Sequence, residues 1–341
     1  MPTEPHQLTE KALKLDELTT PDAPTDNWVD RFAPDFSKPF LRLMRADRPI
    51  GIWLLLIPCL WGSALGLVQI GNSIASGETA GMAIKTDTVT ASWSMAFWHG
   101  VLFTIGATVM RGAGCTYNDI IDRDIDANVA RTAKRPIPSG QVSIKSAWVF
   151  LVLQCLIGLA VLLQFNKPTV FLGLASLFLV AVYPFMKRIT WWPQVWLGLT
   201  FNWGALVGYS AAMQEIQLSA VLIYLAGIFW TVGYDTVYAH QDIDDDALIG
   251  VKSSARRLGS ATLPALCIFY AITIICFIAV GLIARHSFLF FLALIAPAAH
   301  LGWQLRAFRT KDSSKALAIF KSNRDAGLLL LAPLLLEAIA K

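Results

Sequence analysis

Residues 101 to 126 read VLFTIGATVMRGAGCTYNDIIDRDID. The run opens on ten uncharged, mostly apolar residues and closes on NDIIDRDID, where four aspartates and an asparagine fall within nine positions. The apolar part decides the fold class, because a bilayer core takes about 20 such residues per spanning helix and the pattern recurs along the chain. Uncharged runs lie near Pro49 to Ile70, Ser92 to Met110, Ala147 to Phe165, Thr169 to Phe185, Val195 to Met213, Leu218 to Tyr234, Leu263 to Ala284, Phe288 to Gln304 and Ala326 to Ala340. With 55% hydrophobic residues, 15% charged residues and a mean hydropathy of +0.54, the composition lies outside that of soluble globular domains. Backbone amides in lipid must be bonded internally, which excludes an open sheet. The expectation is an all-α fold, a polytopic membrane helix bundle of about nine transmembrane helices, with the lipid bilayer as partner and no nucleic acid.

Orientation follows from the basic residues, since cytoplasmic loops retain positive charge during insertion. All but four of the 28 Lys and Arg residues (Lys85, Lys167, Arg285 and Lys341) lie before the first run or after the second, fourth, sixth and eighth. This predicts a cytoplasmic N-terminus and cytoplasmic loops bearing the acids; the membrane itself is expected to be a bacterial cell inner membrane. Residues 1–38 read as a mobile cytoplasmic tail without a signal-peptide or transit-peptide pattern, and residues 39–341 as the membrane domain. The segment KPFLRLMRADRP suits either a short surface helix or a plain basic flank. Residues 71–91 read as a longer external loop. The five cysteines are isolated and imply neither disulfides nor zinc.

If the second run continues as a helix, Asn118, Asp122 and Asp126 recur at i, i+4 and i+8 on one face, with Asp119 three residues before Asp122. Oxygen ligands crowded on one face repel unless a cation sits among them, and carboxylates with an amide suit Mg²⁺. A second cluster lies in YDTVYAHQDIDDDALIGVKSSARR, residues 234–257, where Asp242 and Asp246 repeat the i, i+4 spacing and Asp235 and Tyr238 share their helical stripe. Bases follow each cluster: Arg131, Lys134 and Arg135 after the first, Lys252, Arg256 and Arg257 after the second. Acids for metal beside bases for phosphate oxygens are the chemistry of diphosphate binding. The plain alternative, two solvated loops, explains neither the shared spacing nor the shared side of the membrane. It holds with equal weight for Asp124, Asp244 and Asp245, and His240 reads as a loop or helix-surface residue.

NDIIDRDID has the form NDxxDxxxD and DIDDD the form DxxxD, and with them the chain resembles the UbiA-type membrane prenyltransferases. DRPIGIWLLLIPCLWG at 47–62, RTAKRPIPSG at 131–140, YPFMKRITWWPQ at 183–194, YDTVYA at 234–239 and SNRDAG at 322–327 are most similar to the branch that prenylates 4-hydroxybenzoate in ubiquinone synthesis. The resemblance implies two helical pseudo-repeats around a central cavity and two Mg²⁺ ions. Asn118, Asp122 and Asp126 would hold one side and Asp242 and Asp246 the other, with Asp119 in support and Asp235 among the catalytic acids. It implies transfer of a polyprenyl group from polyprenyl diphosphate to the ring carbon ortho to the hydroxyl of 4-hydroxybenzoate. Arg131, Lys134, Arg135 and Lys252 are candidates for the diphosphate, with Tyr238 beside them, and Arg48, Arg123 and Arg188 for the acceptor carboxylate. Alternatives within the family take dihydroxynaphthoate, haem or homogentisate. A cation-coupled transporter would carry its ligands nearer the bilayer midplane, and a CDP-alcohol phosphatidyltransferase would carry a longer Gly/Ala/Asp signature.

Overall fold

The structure, a computed structural model, describes residues 27–75, 85–128, 132–241, 243, 250, 252–310 and 312–341, with side chains of the helix begun at residue 85 described from residue 92. These residues form helices and no strand. In chain order the helices are α1 (Trp28–Phe32), α2 (Lys38–Leu43), α3 (Ile50–Ala75), α4 (Lys85–Asp126), α5 (Ile144–Leu162), α6 (Lys167–Ile189) and α7 (Pro193–Met213). They continue with α8 (Leu218–Tyr238), α9 (Ser254–Leu258), α10 (Thr262–Ile283), α11 (Phe288–Ala293), α12 (Ile295–Ala307) and α13 (Ser313–Ala340).

Among the described residues, seven helical stretches are long and apolar enough to cross a membrane, so the expected count of nine is not confirmed. The two that drop out, α7 and α13, have spanning length but carry polar side chains. Helix α7 contains Gln194, Thr200, Asn202 and Ser210, and α13 contains Lys315, Lys321, Arg324, Asp325 and Glu337. Of the expected external loop at 71–91, the described residues are helical: α3 runs on to Ala75 and α4 starts at Lys85, and residues 76–84 lie outside the described residues. Helix α4 continues unbroken through the acidic stretch to Asp126, which meets the condition for a shared acidic face.

Starts and stops follow local chemistry. Asn27, Asn166 and Asp312 each accept a backbone N–H three residues on, which satisfies an otherwise orphaned donor at the starts of α1, α6 and α13. Helix α1 falls inside the stretch read as a tail, where the Trp28 indole donates to the Ala46 carbonyl and Asp30 pairs with Arg42 at 2.7 Å. Of the two readings open for KPFLRLMRADRP, a short surface helix or a plain basic flank, the structure has a helix of six residues, α2.

The helices group into two compact units. In one, comprising Thr108–Gly158 and the described residues up to Gly51, Leu43, Ala113, Ile120, Ile137, Val142, Ala147 and Leu151 form a buried cluster. Phe40 and Phe150 pack edge to face against it at 5.2 Å. In the other, comprising Ile52–Ala107 and Leu159–Lys341, α8 packs on α7 and α10. Trp61 and Trp230 meet at 5.1 Å there, and their indoles donate to the Gly327 carbonyl and to Asn323 Oδ1. Asn202 bonds the Gly198 carbonyl and Thr231 Oγ1. On α5 and α6 the large apolar side chains point outward instead, with Phe171 and Phe178 73% and 67% exposed, as suits a lipid-facing surface.

The turn from α10 to α11 holds a buried titratable group. Arg285 takes φ +53°, the His286 amide returns to the Gly281 carbonyl, and Ser287 donates through its amide and hydroxyl to Glu337. His286 packs edge-on against Phe290 at 4.4 Å. Burial pushes its pKa from 6.5 down to about 4, with Glu337 opposing and Lys341 reinforcing the shift. Between those values the unfolded chain binds the proton that the folded chain refuses, so stability falls as pH drops through this window. Thermal unfolding of the purified protein should lose stability from pH 6.5 to 4, and His286→Gln should flatten that slope; an unchanged slope would remove His286 from the account.

Candidate active site

The last turns of α4 carry the first acidic cluster. Asp119, Asp122 and Asp126 are buried, and Asn118 is half-buried beside them. Asp119 is 1% exposed, yet its oxygens are fully engaged: Arg45 Nη2 donates to both at 2.8 Å, and Arg135 Nη1 reaches Oδ1 at 3.3 Å. The same Arg135 nitrogen lies 2.7 Å from Asp126 Oδ2, so one guanidinium bridges two carboxylates. Thr132 fixes the approach of this loop by donating to the Asp126 carbonyl at 2.8 Å.

Arg45 sits at φ +61°, in the left-handed region where glycine is usual, one residue after the cap of α2. The Ala46 amide closes this turn on the Leu41 carbonyl at 2.9 Å. A side chain in that conformation costs about 1–2 kcal/mol. Each hydrogen bond to a charged partner returns about 1.5–3 kcal/mol, so the two bonds to Asp119 outweigh the strain. Two residues on, Asp47 is buried and Arg48 clasps it, with Nη2 at 3.0 Å.

The other expected residues fall as follows. Arg123 pairs with exposed Asp124 at 3.5 Å. Lys134 is exposed. Arg188 lies over the Phe185 ring at 6.0 Å. Lys252 ties the segment before α9 to the end of α6, its amide bonded to the Lys187 carbonyl and its ammonium to that of Ile189, each at 3.1 Å. On α8, Asp235 is half-buried, and the Tyr238 ring rests 4.4 Å from that of Phe320. His240 is not a surface residue: it is buried between the Thr236 carbonyl, at 2.8 Å from Nδ1, and the edge of Phe308. Arg131, Asp242, Asp244, Asp245 and Asp246 lie outside the described residues.

One residue went unnoticed in the sequence. Arg111 lies seven positions before Asn118, two turns up the same face of α4, and its Nη1 is 2.6 Å from Cys115 Sγ. Gly51 makes room for it, since a methyl group there would strike Arg111 Nε. A charge inside an otherwise apolar helix was the available signal.

Among the described residues no three His, Cys, Asp or Glu side chains converge on a metal position. With Asp119 held by two arginines, α4 offers one amide and two carboxylates, Asn118, Asp122 and Asp126. Such a hard-oxygen set fits Mg²⁺, which takes one or two carboxylates and completes its shell from water and phosphate.

Residues 74–328 match the model of the UbiA prenyltransferase family. The chain belongs to that family. It is 43% identical over 304 residues to "4-hydroxybenzoate polyprenyltransferase, mitochondrial" from Aedes aegypti, a match covering 89% of this chain and 64% of that protein. It is 42% identical over 310 residues to the protein of the same name from Homo sapiens, covering 91% and 78%. Among solved structures, a UbiA homolog from Archaeoglobus fulgidus bound to GPP and Mg²⁺ superimposes with a TM-score of 0.62 at 18% identity, over 89% of this chain and all of that one. That likeness confirms the membrane helix-bundle fold of this UbiA-family chain.

The mitochondrial relatives overturn the expectation of a bacterial cell inner membrane. The distribution of Lys and Arg tells one side of a membrane from the other and says nothing of which membrane it is.

The bridging role of Arg135 has a measurable consequence. Arg135→Met removes the shared counter-ion of Asp119 and Asp126 and should destabilise the metal-free protein by about 3–5 kcal/mol. Added Mg²⁺ should recover part of the loss, because a cation bound only by the folded state stabilises it. Thermal unfolding with and without Mg²⁺ reads both; a wild-type melting point in Arg135→Met would show the bridge to be dispensable.

Proposed function

We infer that this UbiA-family chain transfers a polyprenyl group from polyprenyl diphosphate to the ring carbon ortho to the hydroxyl of 4-hydroxybenzoate, releasing diphosphate, as a step of ubiquinone synthesis. It is an aromatic prenyltransferase. Family membership and two relatives above 40% identity with this activity in their names support the reaction. The structural observation that carries it is the face formed by Asn118, Asp122 and Asp126 on one continuous helix, with the Arg135 guanidinium 2.7 Å from the last of them.

Asn118, Asp122 and Asp126 would hold one Mg²⁺, and Asp242 and Asp246 a second. When bound, these ions offset the negative charge that grows on the diphosphate as the bond from C1 to oxygen breaks. Arg135, with Arg131 and Lys134 near it in sequence, receives phosphate oxygens, the guanidinium by paired hydrogen bonds. Arg48 or Arg111 grips the acceptor carboxylate, since a guanidinium fork matches two carboxylate oxygens. Of the two, Arg111 is better placed to meet a ring entering from lipid, because it belongs to the spanning part of α4. The ring carbon ortho to the hydroxyl then attacks the allylic C1, and loss of its proton restores aromaticity.

Membranes containing the protein, given 4-hydroxybenzoate and a polyprenyl diphosphate, should form 3-polyprenyl-4-hydroxybenzoate only with Mg²⁺. Asp122→Ala and Asp246→Ala should each lower turnover by a factor of about 100 or more without loss of folded protein; near-normal turnover in both would sink the assignment. Gly51→Ala should raise the KM for 4-hydroxybenzoate about tenfold by displacing Arg111, while the KM for the prenyl diphosphate stays put. The opposite pattern would assign Arg111 to the donor.

A further inference from the structure

The mechanism leaves Asp119 without a part. It stands next to Asn118 in the acidic motif, and spacing alone counted it with the metal ligands. Its surroundings differ from those of its neighbours. Both carboxylate oxygens accept from Arg45 at 2.8 Å, one accepts again from Arg135 at 3.3 Å, and the group is almost wholly removed from solvent. Two guanidinium nitrogens making three contacts to one carboxylate leave less lone-pair capacity for a cation, and two adjacent guanidinium groups repel one. The backbone is committed to the same contact, because Arg45 adopts φ +61° where its side chain meets Asp119. A residue held in a sparsely populated conformation beside a binding motif points to a function for the side chain so held.

We propose that Asp119 is a positioning residue and not a metal ligand. It is the buried counter-ion that brings Arg45 and Arg135 together and aims them as one anion-receiving pair for the donor diphosphate. Arg135 is the shared member: it touches Asp126 at 2.7 Å while Asp119 holds it from behind, so it can turn toward an incoming phosphate oxygen without losing every partner. Arg45 is the fixed member, held at both Asp119 oxygens and also bonded to the Arg42 carbonyl at 3.0 Å. This assignment rests on the reading of the chain as a prenyl-diphosphate enzyme.

The test separates metal binding from anion binding in the full-length protein. Mn²⁺ binding is followed by electron paramagnetic resonance, and inorganic diphosphate binding by calorimetry without divalent metal, in wild type, Asp119→Asn, Asp122→Asn and Arg45→Gln. For a positioning residue, Asp119→Asn weakens diphosphate about tenfold, the size expected for losing charge-assisted hydrogen bonds, and raises the KM for prenyl diphosphate more than it lowers kcat. Its Mn²⁺ affinity stays within about twofold of wild type, since oxygens already taken up by Arg45 and Arg135 contribute nothing to the ion. Arg45→Gln repeats the anion defect, and Asp122→Asn loses Mn²⁺ instead. If Asp119→Asn loses Mn²⁺ as Asp122→Asn does, Asp119 is a ligand and the proposal fails. It fails equally if both affinities match wild type. Should Asp119→Asn not fold, Arg45→Gln decides alone: unchanged diphosphate affinity overturns the pair. Wild-type protein that forms no prenylated product would overturn the reading of function, an outcome independent of how these variants rank.

Discussion

An ionised carboxylate at the end of a lipid-spanning helix must be neutralised within the protein, and Asp119 with Arg45 and Arg135 is how this chain does it. The contact joins segments far apart in sequence: the turn after α2, the end of α4 and the loop that follows α4. Its demands propagate outward. Arg45 takes up a left-handed turn to reach its partner, and the turn is closed by the Ala46 amide on the Leu41 carbonyl. The apolar cluster of Leu43, Ala113, Ile120, Ile137 and Val142 packs around the same elements. An exposed surface ion pair contributes about 0–1 kcal/mol; this one is buried and doubly bonded, and removal of one partner would strand charge away from water. The segment before the first span is thereby tied to the acidic motif rather than appended to it.

The second unit shows the other constraint that lipid imposes. Helices in a bilayer gain little from burying apolar surface against each other, since the tails outside are equally apolar, so close packing and internal hydrogen bonds must hold them. Gly208 on α7 lets that helix approach so near α3 that a methyl group would collide with the Cys59 carbonyl oxygen. Gly227 on α8 likewise accommodates the Asn202 amide, which in turn bonds Thr231. The indoles of Trp61 and Trp230 end on Gly327 and Asn323 of α13. These polar contacts explain how α7 and α13 belong to the bundle although neither is apolar enough to pass as a span by composition.

That distinction accounts for what could be read from the sequence. Period and composition announce a helix that faces lipid, so α5, α6 and α10 were plain, while α13, with Lys321, Arg324 and Asp325, was assigned a span from its apolar end alone. The shared face of Asn118, Asp122 and Asp126 was legible because it depends only on an unbroken helix and its period of 3.6 residues. The role of Asp119 was not, because it is decided by Arg45, 74 residues away. A left-handed arginine leaves no mark in the one-letter string. Arg111 could have been found, as a charge within an apolar run, but its neighbour Gly51 could not. His240 looked like a loop residue because aspartates surround it in sequence, whereas its ring is buried against Phe308.

The charge balance on α4 also bears on the order of binding. With Asp119 and Asp126 sharing Arg135, the metal-free motif presents far less negative charge than its four aspartates suggest. Two carboxylates and an amide, with Asp126 held by Arg135, would make a weak site for a strongly hydrated dication, which gives up its water reluctantly. In the proposed reaction a diphosphate would supply the missing oxygens and offer Arg135 a new partner at the same moment, so that metal and donor would be favoured together over either alone.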